Sequence, residues 1–130
     1  AYGDNGGLPA MLLDAILAGH PIPLLAGRAS VCSPIHEDDI FTQTPGLLAA
    51  ASIPATITNW GGDEPVEIPE MCRYMAERVG RRVEFVESPE GIHQYRLAGT
   101  RRSELAGPCR VPWREGVERM IAARHPELVG

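Results

Sequence analysis

The sequence predicts an α/β fold. Three observations carry that expectation. Strand-length stretches rich in aliphatic and β-branched residues fall at 22–26, 30–36, 55–60 and 83–86. Longer stretches with apolar residues at helical spacing lie between them, so the two periods alternate along the chain. The third observation is the junction at 32–40, Cys-Ser-Pro-Ile-His-Glu-Asp-Asp-Ile. A strand pattern ends there at His36, and Glu37, Asp38 and Asp39 arrive together before Ile40, Phe41, Leu47 and Leu48 resume an apolar pattern. Carboxylates at a helix start, here Asp38 or Asp39, accept bonds from unpaired backbone N–H groups and complement the helix dipole.

Taken in order, residues 2–7 hold Gly3, Gly6 and Gly7 with Asp4 and Asn5, which is turn chemistry. Asn5 stands where G-x-G-x-x-G needs its second glycine, so a plain turn is favoured over a phosphate cradle. Pro9 suits the first turn of a helix at 10–17, whose only charge is Asp14, and Gly19 ends it. A helix so apolar is expected to bury more than one face. Strands follow at 22–26 and 30–36, separated by Gly27 and Arg28. The helix from Asp38 to about Ala51 carries Pro45 and Gly46, which predicts a kink or a break. Residues 55–60 predict a strand with Ala55, Ile57 and Asn59 on one face, followed by the sharp loop Gly61-Gly62-Asp63-Glu64. Pro69 starts a clear helix on which Met71, Cys72, Met75, Ala76 and Val79 share a face, and Gly80 stops it. A strand at 83–86 leads to a turn at Ser88-Pro89-Glu90-Gly91. A short helix at 100–105 is closed by Gly107-Pro108. The last helix begins near Pro112 with Trp113, Val117, Met120 and Ile121 on one face. Its other face offers the i, i+4 pairs Arg114–Glu118 and Glu115–Arg119.

At 130 residues the chain is long enough for one domain, 1–130, with a real core, and too short for two of ordinary size. Its net charge of −5 argues against a nucleic-acid binder that relies on a basic surface. The longest apolar run, 21–27, is too short to span a bilayer, so no membrane partner is expected, and no signal peptide is visible. Cys32, Cys72 and Cys109 form no C-x-x-C and read as small buried residues of a reducing compartment, which predicts a cytoplasmic protein. A secreted protein with an odd thiol is the other option. The chain does not begin with Met, and it is expected to be a piece of something longer. All twelve basic residues are arginine. Chemistry that needs a Schiff-base, general-base or P-loop lysine is therefore beyond this chain alone.

Chemistry has few footholds. A histidine beside three acids fits a metal site or an acid/base pair as well as a helix start. Neighbours on a strand point to opposite faces, however, and neighbours on a helix diverge by about 100°. His20, His93 and His125 lie in separate elements. A strand-to-helix junction is favoured, and a metal hydrolase ranks last. Ser33 lacks a G-x-S-x-G setting, and Cys32 has no flanking glycines for an oxyanion. Asn59-Trp60-Gly61-Gly62-Asp63 sits at the carboxyl end of an expected strand, where open α/β sheets bind ligands. Trp60 there lines a pocket or plugs the core, and the sequence does not choose.

Tyr2-Gly3, Pro34-Ile35-His36-Glu37-Asp38-Asp39-Ile40 and Thr58-Asn59-Trp60-Gly61-Gly62, in that order and spacing, carry a resemblance. The chain resembles the C-terminal part of an extended short-chain dehydrogenase/reductase, the NAD-dependent epimerase/dehydratase family. That family has a Tyr-Gly loop, a helix, a strand of the form Phe-Ile-His-Val-x-Asp, a helix and a Tyr-Asn-Ile-Gly strand. Thr100-Arg101-Arg102-Ser103-Glu104-Leu105 with Gly107 resembles its segment before the terminal helix. The resemblance covers nearly the whole chain. It implies a substrate-binding portion plus late sheet strands of a Rossmann-type enzyme, lacking the N-terminal nucleotide-binding half.

Several expectations follow from that resemblance. The glycine-rich nucleotide loop and the catalytic Ser, Tyr and Lys lie upstream. Tyr2, Tyr74 and Tyr95 are followed four residues later by Gly6, Arg78 and Gly99, so no Tyr-x-x-x-Lys exists here. No catalytic residue is expected in this chain. NAD or NADP is the expected cofactor of the full-length parent, with no tight binding to this chain alone. The expected partners are the missing N-terminal Rossmann half or a homo-oligomer mate, and a small-molecule substrate. By position, Tyr2, Leu8, Pro9, Leu24, Ala26, Cys32 and Ile68 are expected to bind substrate. The family's phosphate-binding arginines are absent at Cys32 and near Glu87-Ser88, and an aromatic position holds Ala26, which implies a smaller or less charged substrate. The alternative is a stand-alone, non-catalytic binding or assembly module of the same fold. A fragment should leave the 8–17 helix and the 55–60 strand without neighbours and expose a large apolar patch.

Overall fold

The computed structural model of the chain describes residues 1–92 and 95–129, so His93 lies outside the described residues. Among these residues, sheet is reduced to three two-stranded pieces around longer helices. The glycine-rich start is a minimal hairpin, β1 (Tyr2–Gly3) antiparallel to β2 (Gly6–Gly7), turning at Asp4 and Asn5. Gly7 enters α1 (Leu8–Leu17) with φ of +102°, a conformation that glycine adopts without strain. Pro9 occupies the first turn, where its fixed φ and missing N–H cost nothing. Pro9, Ala10, Leu12, Leu13 and Ile16 are buried, while Met11, Asp14 and Ala18 form an exposed stripe. The helix is covered over a broad face, not all round.

β3 (Ile22–Leu24) runs parallel to β6 (Phe85–Glu87), with Ile22 opposite Phe85. The stretch at 30–36 pairs at β4 (Val31–Cys32), antiparallel to β5 (Val66–Glu67), and again where His36 bridges Tyr2. The sequence reading holds no strand at β5, because two residues set no period. α2 (Glu37–Ala49) passes through Pro45 as one helix, so the expected break does not occur. Pro45 and Phe41 both face solvent, which leaves the Phe41 carbonyl free to bind water in place of the lost N–H. Gly46 lets α2 approach α4 (Thr100–Ala106), since a Cβ there would meet the backbone of Leu105 and Ala106.

The strand expected at 55–60 is not formed. No residue from Ala51 to Trp60 carries strand pairing, and Ile53 and Ile57 are 102 % and 75 % exposed. β-branched residues gain their strand preference from packing on neighbouring strands, and no described residue supplies one. α3 (Ile68–Arg78) follows its sequence pattern closely. Met71, Cys72, Met75, Ala76 and Val79 are all buried, and Gly80 leaves the helix at φ +65°. α5 (Trp113–Arg124) buries Trp113, Val117, Met120 and Ile121, and the tail ends in a single 3-10 turn, Pro126–Leu128. These faces of α1, α3 and α5 meet with Ile22, Cys32 and Val66 in one continuous core.

The charges of α5 correct another expectation. Arg114 pairs with Glu70, Glu118 with Arg78, and Arg119 with Asp38. They bridge to α3 and α2 and form none of the i, i+4 pairs read from the sequence. Packing brings the neighbouring helices' opposite charges closer than those one turn away.

Candidate functional site

A cavity of about 220 Å³ lies where the start of the chain, the first turn of α1, β4 and two irregular segments meet. Tyr2, Leu8, Pro9 and Cys32 line it. Four of the residues singled out by position are thus brought together. Ser33, Pro34 and Ile35 complete one wall, and Trp60, Tyr95 and Leu97 close the other. Leu24 borders a separate cavity with Arg28, Glu67 and Glu87, and Ala26 a third beside Ser88. Ile68 has no exposed surface; its N–H donates to the Ser30 carbonyl at 2.8 Å, and its side chain belongs to the core.

The cavity beside Trp60 has little charge to offer. Burial pushes the Cys32 thiol up to about 11, so it is a neutral S–H at physiological pH. Burial first, then the nearby Asp39 and Glu64 carboxylates, also raises the Tyr2 phenol above its usual value. The Tyr2 hydroxyl donates to the Trp113 carbonyl at 3.3 Å. Trp60 is 40 % exposed, and its indole N–H donates to Gln43 Oε1 at 2.9 Å. The Ser33 hydroxyl oxygen accepts the Leu97 N–H at 3.0 Å. Gly62 presses on the Pro34 backbone so tightly that a Cβ would overlap the Pro34 carbonyl. That contact seats the 60–62 turn against the wall formed by 33–35.

The His36 junction serves to hold the fold. His36 is buried, and its Nδ1 accepts the Asp38 N–H at 3.1 Å, which makes histidine the cap of α2 in place of Asp38 or Asp39. That bond leaves the ring proton of a neutral imidazole on Nε2, which is buried without a partner among the described residues. The ring meets Tyr2 edge-on, with centroids 5.3 Å apart. Of the three acids only Asp38 stays beside the ring, with Oδ2 3.9 Å from Nδ1, and its stronger partner lies elsewhere. Asp38 binds Arg119 at 2.5 Å, and that bond lowers its pKa. Asp39 is buried and accepts the N–H groups of Arg110 and Val111 at 2.8 and 3.1 Å. Glu37 faces the Asp4 N–H. Among the described residues no three His, Cys, Asp or Glu side chains converge as a metal site would require.

Sequence reasoning missed a second polar knot. Arg102 is wholly buried; it pairs with Asp63 and donates to the Gly107 carbonyl at 2.5 Å. Asp63 also accepts the Cys109 N–H at 2.7 Å, Glu64 accepts the Trp113 N–H at 2.9 Å, and Gln43 reaches Cys109 Sγ at 3.5 Å. These contacts clamp the loop after Trp60 to the connector before α5. Partners this far apart in the chain leave no local signal. The glycines before α1 are occupied by their hairpin, where Gly7 packs on the backbone of Ala1 and Tyr2.

No protein-family model matches the sequence, and comparison with curated proteins gives no match. Solved structures do match. UDP-glucose 4-epimerase of Thermotoga maritima, in a structure with UDP-glucose, is similar over 98 % of this chain and 44 % of its own, at 19 % identity and a TM-score of 0.72. dTDP-glucose 4,6-dehydratase of Bacillus anthracis, in complex with NAD, covers 96 % of this chain and 42 % of its own, at 15 % identity and a TM-score of 0.74. UDP-glucose 4-epimerase of Thermus thermophilus, in complex with NAD, covers 95 % and 43 %, at 23 % identity and a TM-score of 0.67. The chain has the fold of one part of an extended short-chain dehydrogenase. It spans less than half the length of these structures and matches a C-terminal-like portion of them. The resemblance carried by the motif order is borne out as a likeness of fold.

Proposed function

We propose that this chain is the substrate-binding portion, with the late sheet strands, of a longer NAD- or NADP-dependent oxidoreductase, epimerase or dehydratase, and that it is not catalytic alone. One observation carries the reading most directly. Residues 55–60 have the composition of a strand, yet they lack strand pairing and leave Ile57 75 % exposed. A parallel neighbour belonging to the other part of the enzyme fills that place. The match to less than half of each related structure supports the same conclusion.

In this reading the cavity beside Trp60 is one wall of the substrate site. The missing N-terminal Rossmann half supplies the facing wall, the dinucleotide site and the proton-transfer groups. NAD or NADP would be held there and would supply hydride transfer. The residues of this chain hold substrate, exclude water from the Tyr2–Cys32 wall and move no proton. The unpaired thiols among the described residues support a cytoplasmic setting.

A second reading is favoured by the core. Leu13, Ile68, Met71, Met75, Val117 and Met120 have no exposed surface, so α1, α3 and α5 close on each other without outside help. A stand-alone, non-catalytic binding or assembly module, or one completed by a second copy of itself, would keep that core. Light scattering with a thermal melt, together with an NAD and NADP titration, separates the readings. The fragment self-associates through its apolar edge and binds neither dinucleotide. A monodisperse monomer with a sharp melt favours the module, and turnover with either cofactor overturns the claim that the chain is inert.

A further inference from the structure

One of the similar structures, UDP-glucose 4-epimerase of Thermotoga maritima, holds UDP-glucose. The cavity of this chain is chemically unlike a diphosphate site. Among the described residues its lining has no arginine and no acidic side chain. Cys32 and Tyr2 are held neutral, the Trp60 N–H is taken by Gln43, and Ser33 already accepts a backbone N–H. Among the described residues the one cation on the lining is the α-amino group of Ala1, which becomes a neutral N–H wherever a residue precedes it. Five arginines are held by carboxylates: Arg78, Arg102, Arg114, Arg119 and Arg124. Arg96 stands between Tyr95 and Leu97 but is exposed and outside the lining.

Moving a diphosphate from water onto such a wall would strip hydration from its charges, and the neutral hydroxyls of Ser33 and Tyr95 supply no countercharge. The faces that remain are apolar or aromatic: Leu8, Pro9, Leu97, Trp60 and Tyr95. A volume of about 220 Å³ is also below the ~300–1,000 Å³ typical of sites for drug-sized ligands. We infer that this cavity takes an uncharged ring of single-ring size, seated against Trp60 and Tyr95, and rejects nucleoside diphosphates. The inference rests on the reading of this wall as part of a substrate site.

Benzyl alcohol serves as the neutral probe, UDP-glucose and inorganic pyrophosphate as the charged ones. The readout is the indole N–H resonance of Trp60 in this chain. Benzyl alcohol is expected to shift that resonance saturably, and UDP-glucose and pyrophosphate to leave it unmoved. Leu97→Trp fills the cavity from a partly exposed position outside the helices, and it should weaken benzyl alcohol by about tenfold or more. Saturable binding of UDP-glucose at Trp60, or no binding of benzyl alcohol, overturns the inference. So does binding that Leu97→Trp leaves unchanged in a folded variant. The charged-probe arm needs no variant, and none of the arms involves NAD. A failure here is therefore distinguishable from failure of the proposed enzyme family.

Discussion

Arg102 and Asp63 form the least replaceable contact of the connector that leads from α4 to α5. The Arg102 side chain is 0 % exposed and that of Asp63 37 % exposed. Asp63→Asn keeps the size and one acceptor but removes the charge, so a buried guanidinium is left with only neutral acceptors, the Asn oxygen and the Gly107 carbonyl. Breaking a buried pair from one side costs about 3–5 kcal/mol, and partial exposure of Asp63 reduces the expected loss to ~2–3 kcal/mol. For a chain of this length that is a fall of about 8–12 °C in Tm. Differential scanning calorimetry gives the value directly. The double variant Arg102→Met with Asp63→Asn removes the stranded charge and should recover at least half of the loss, because an apolar replacement needs no hydration. Were Asp63→Asn to melt within about 2 °C of the parent, the buried ion pair would not be holding this connector.

Other outcomes follow from the same structure. Gly62→Ala places a methyl group on the Pro34 carbonyl and should cost about 1–3 kcal/mol, with a shift in Trp60 fluorescence as the 60–62 turn moves. Cys32 and Cys72 thiols sit at about 11 and about 12 through burial, against ~8.5 in an unfolded chain. Stability from these groups is complete below ~8.5 and is lost as pH rises toward 11, because the unfolded chain gives up its protons first. Folded protein at pH 8 should therefore leave both thiols unreacted with a thiol reagent, and alkaline melts should fall steadily. Asp38 is lowered by its bond from Arg119, and Glu118 by bonds from Tyr74 and Arg78. Both contribute above the ordinary carboxylate pKa, and that contribution disappears as pH falls through their folded values. Removing Arg119 with Arg119→Ala should flatten the acid limb of a pH–Tm profile.

Much of the fold was legible where local signals were strong. α3 reads plainly because five apolar residues recur on one face between Pro69 and Gly80, and all five are buried. The junction at His36 was placed correctly, but its cap was assigned to an acid when the imidazole does that work. Residues 55–60 carry the composition of a strand and form none, since strand pairing is a property of two segments and only one is present. The candidate site was half legible. Tyr2, Leu8, Pro9 and Cys32 do share a cavity, while Tyr95 and Leu97 come from a stretch with no period to mark them. Asp63, Gln43 and Arg102 were invisible for a related reason: their roles exist only once distant segments have packed.

The central claim is that a nucleotide-binding half belongs in front of this chain. Reading the coding sequence immediately upstream of Ala1 tests it most directly. A continuous frame encoding a Gly-x-x-Gly-x-x-Gly strand–turn–helix and, closer to Ala1, a Tyr-x-x-x-Lys pair is expected. An upstream frame that encodes neither would contradict it.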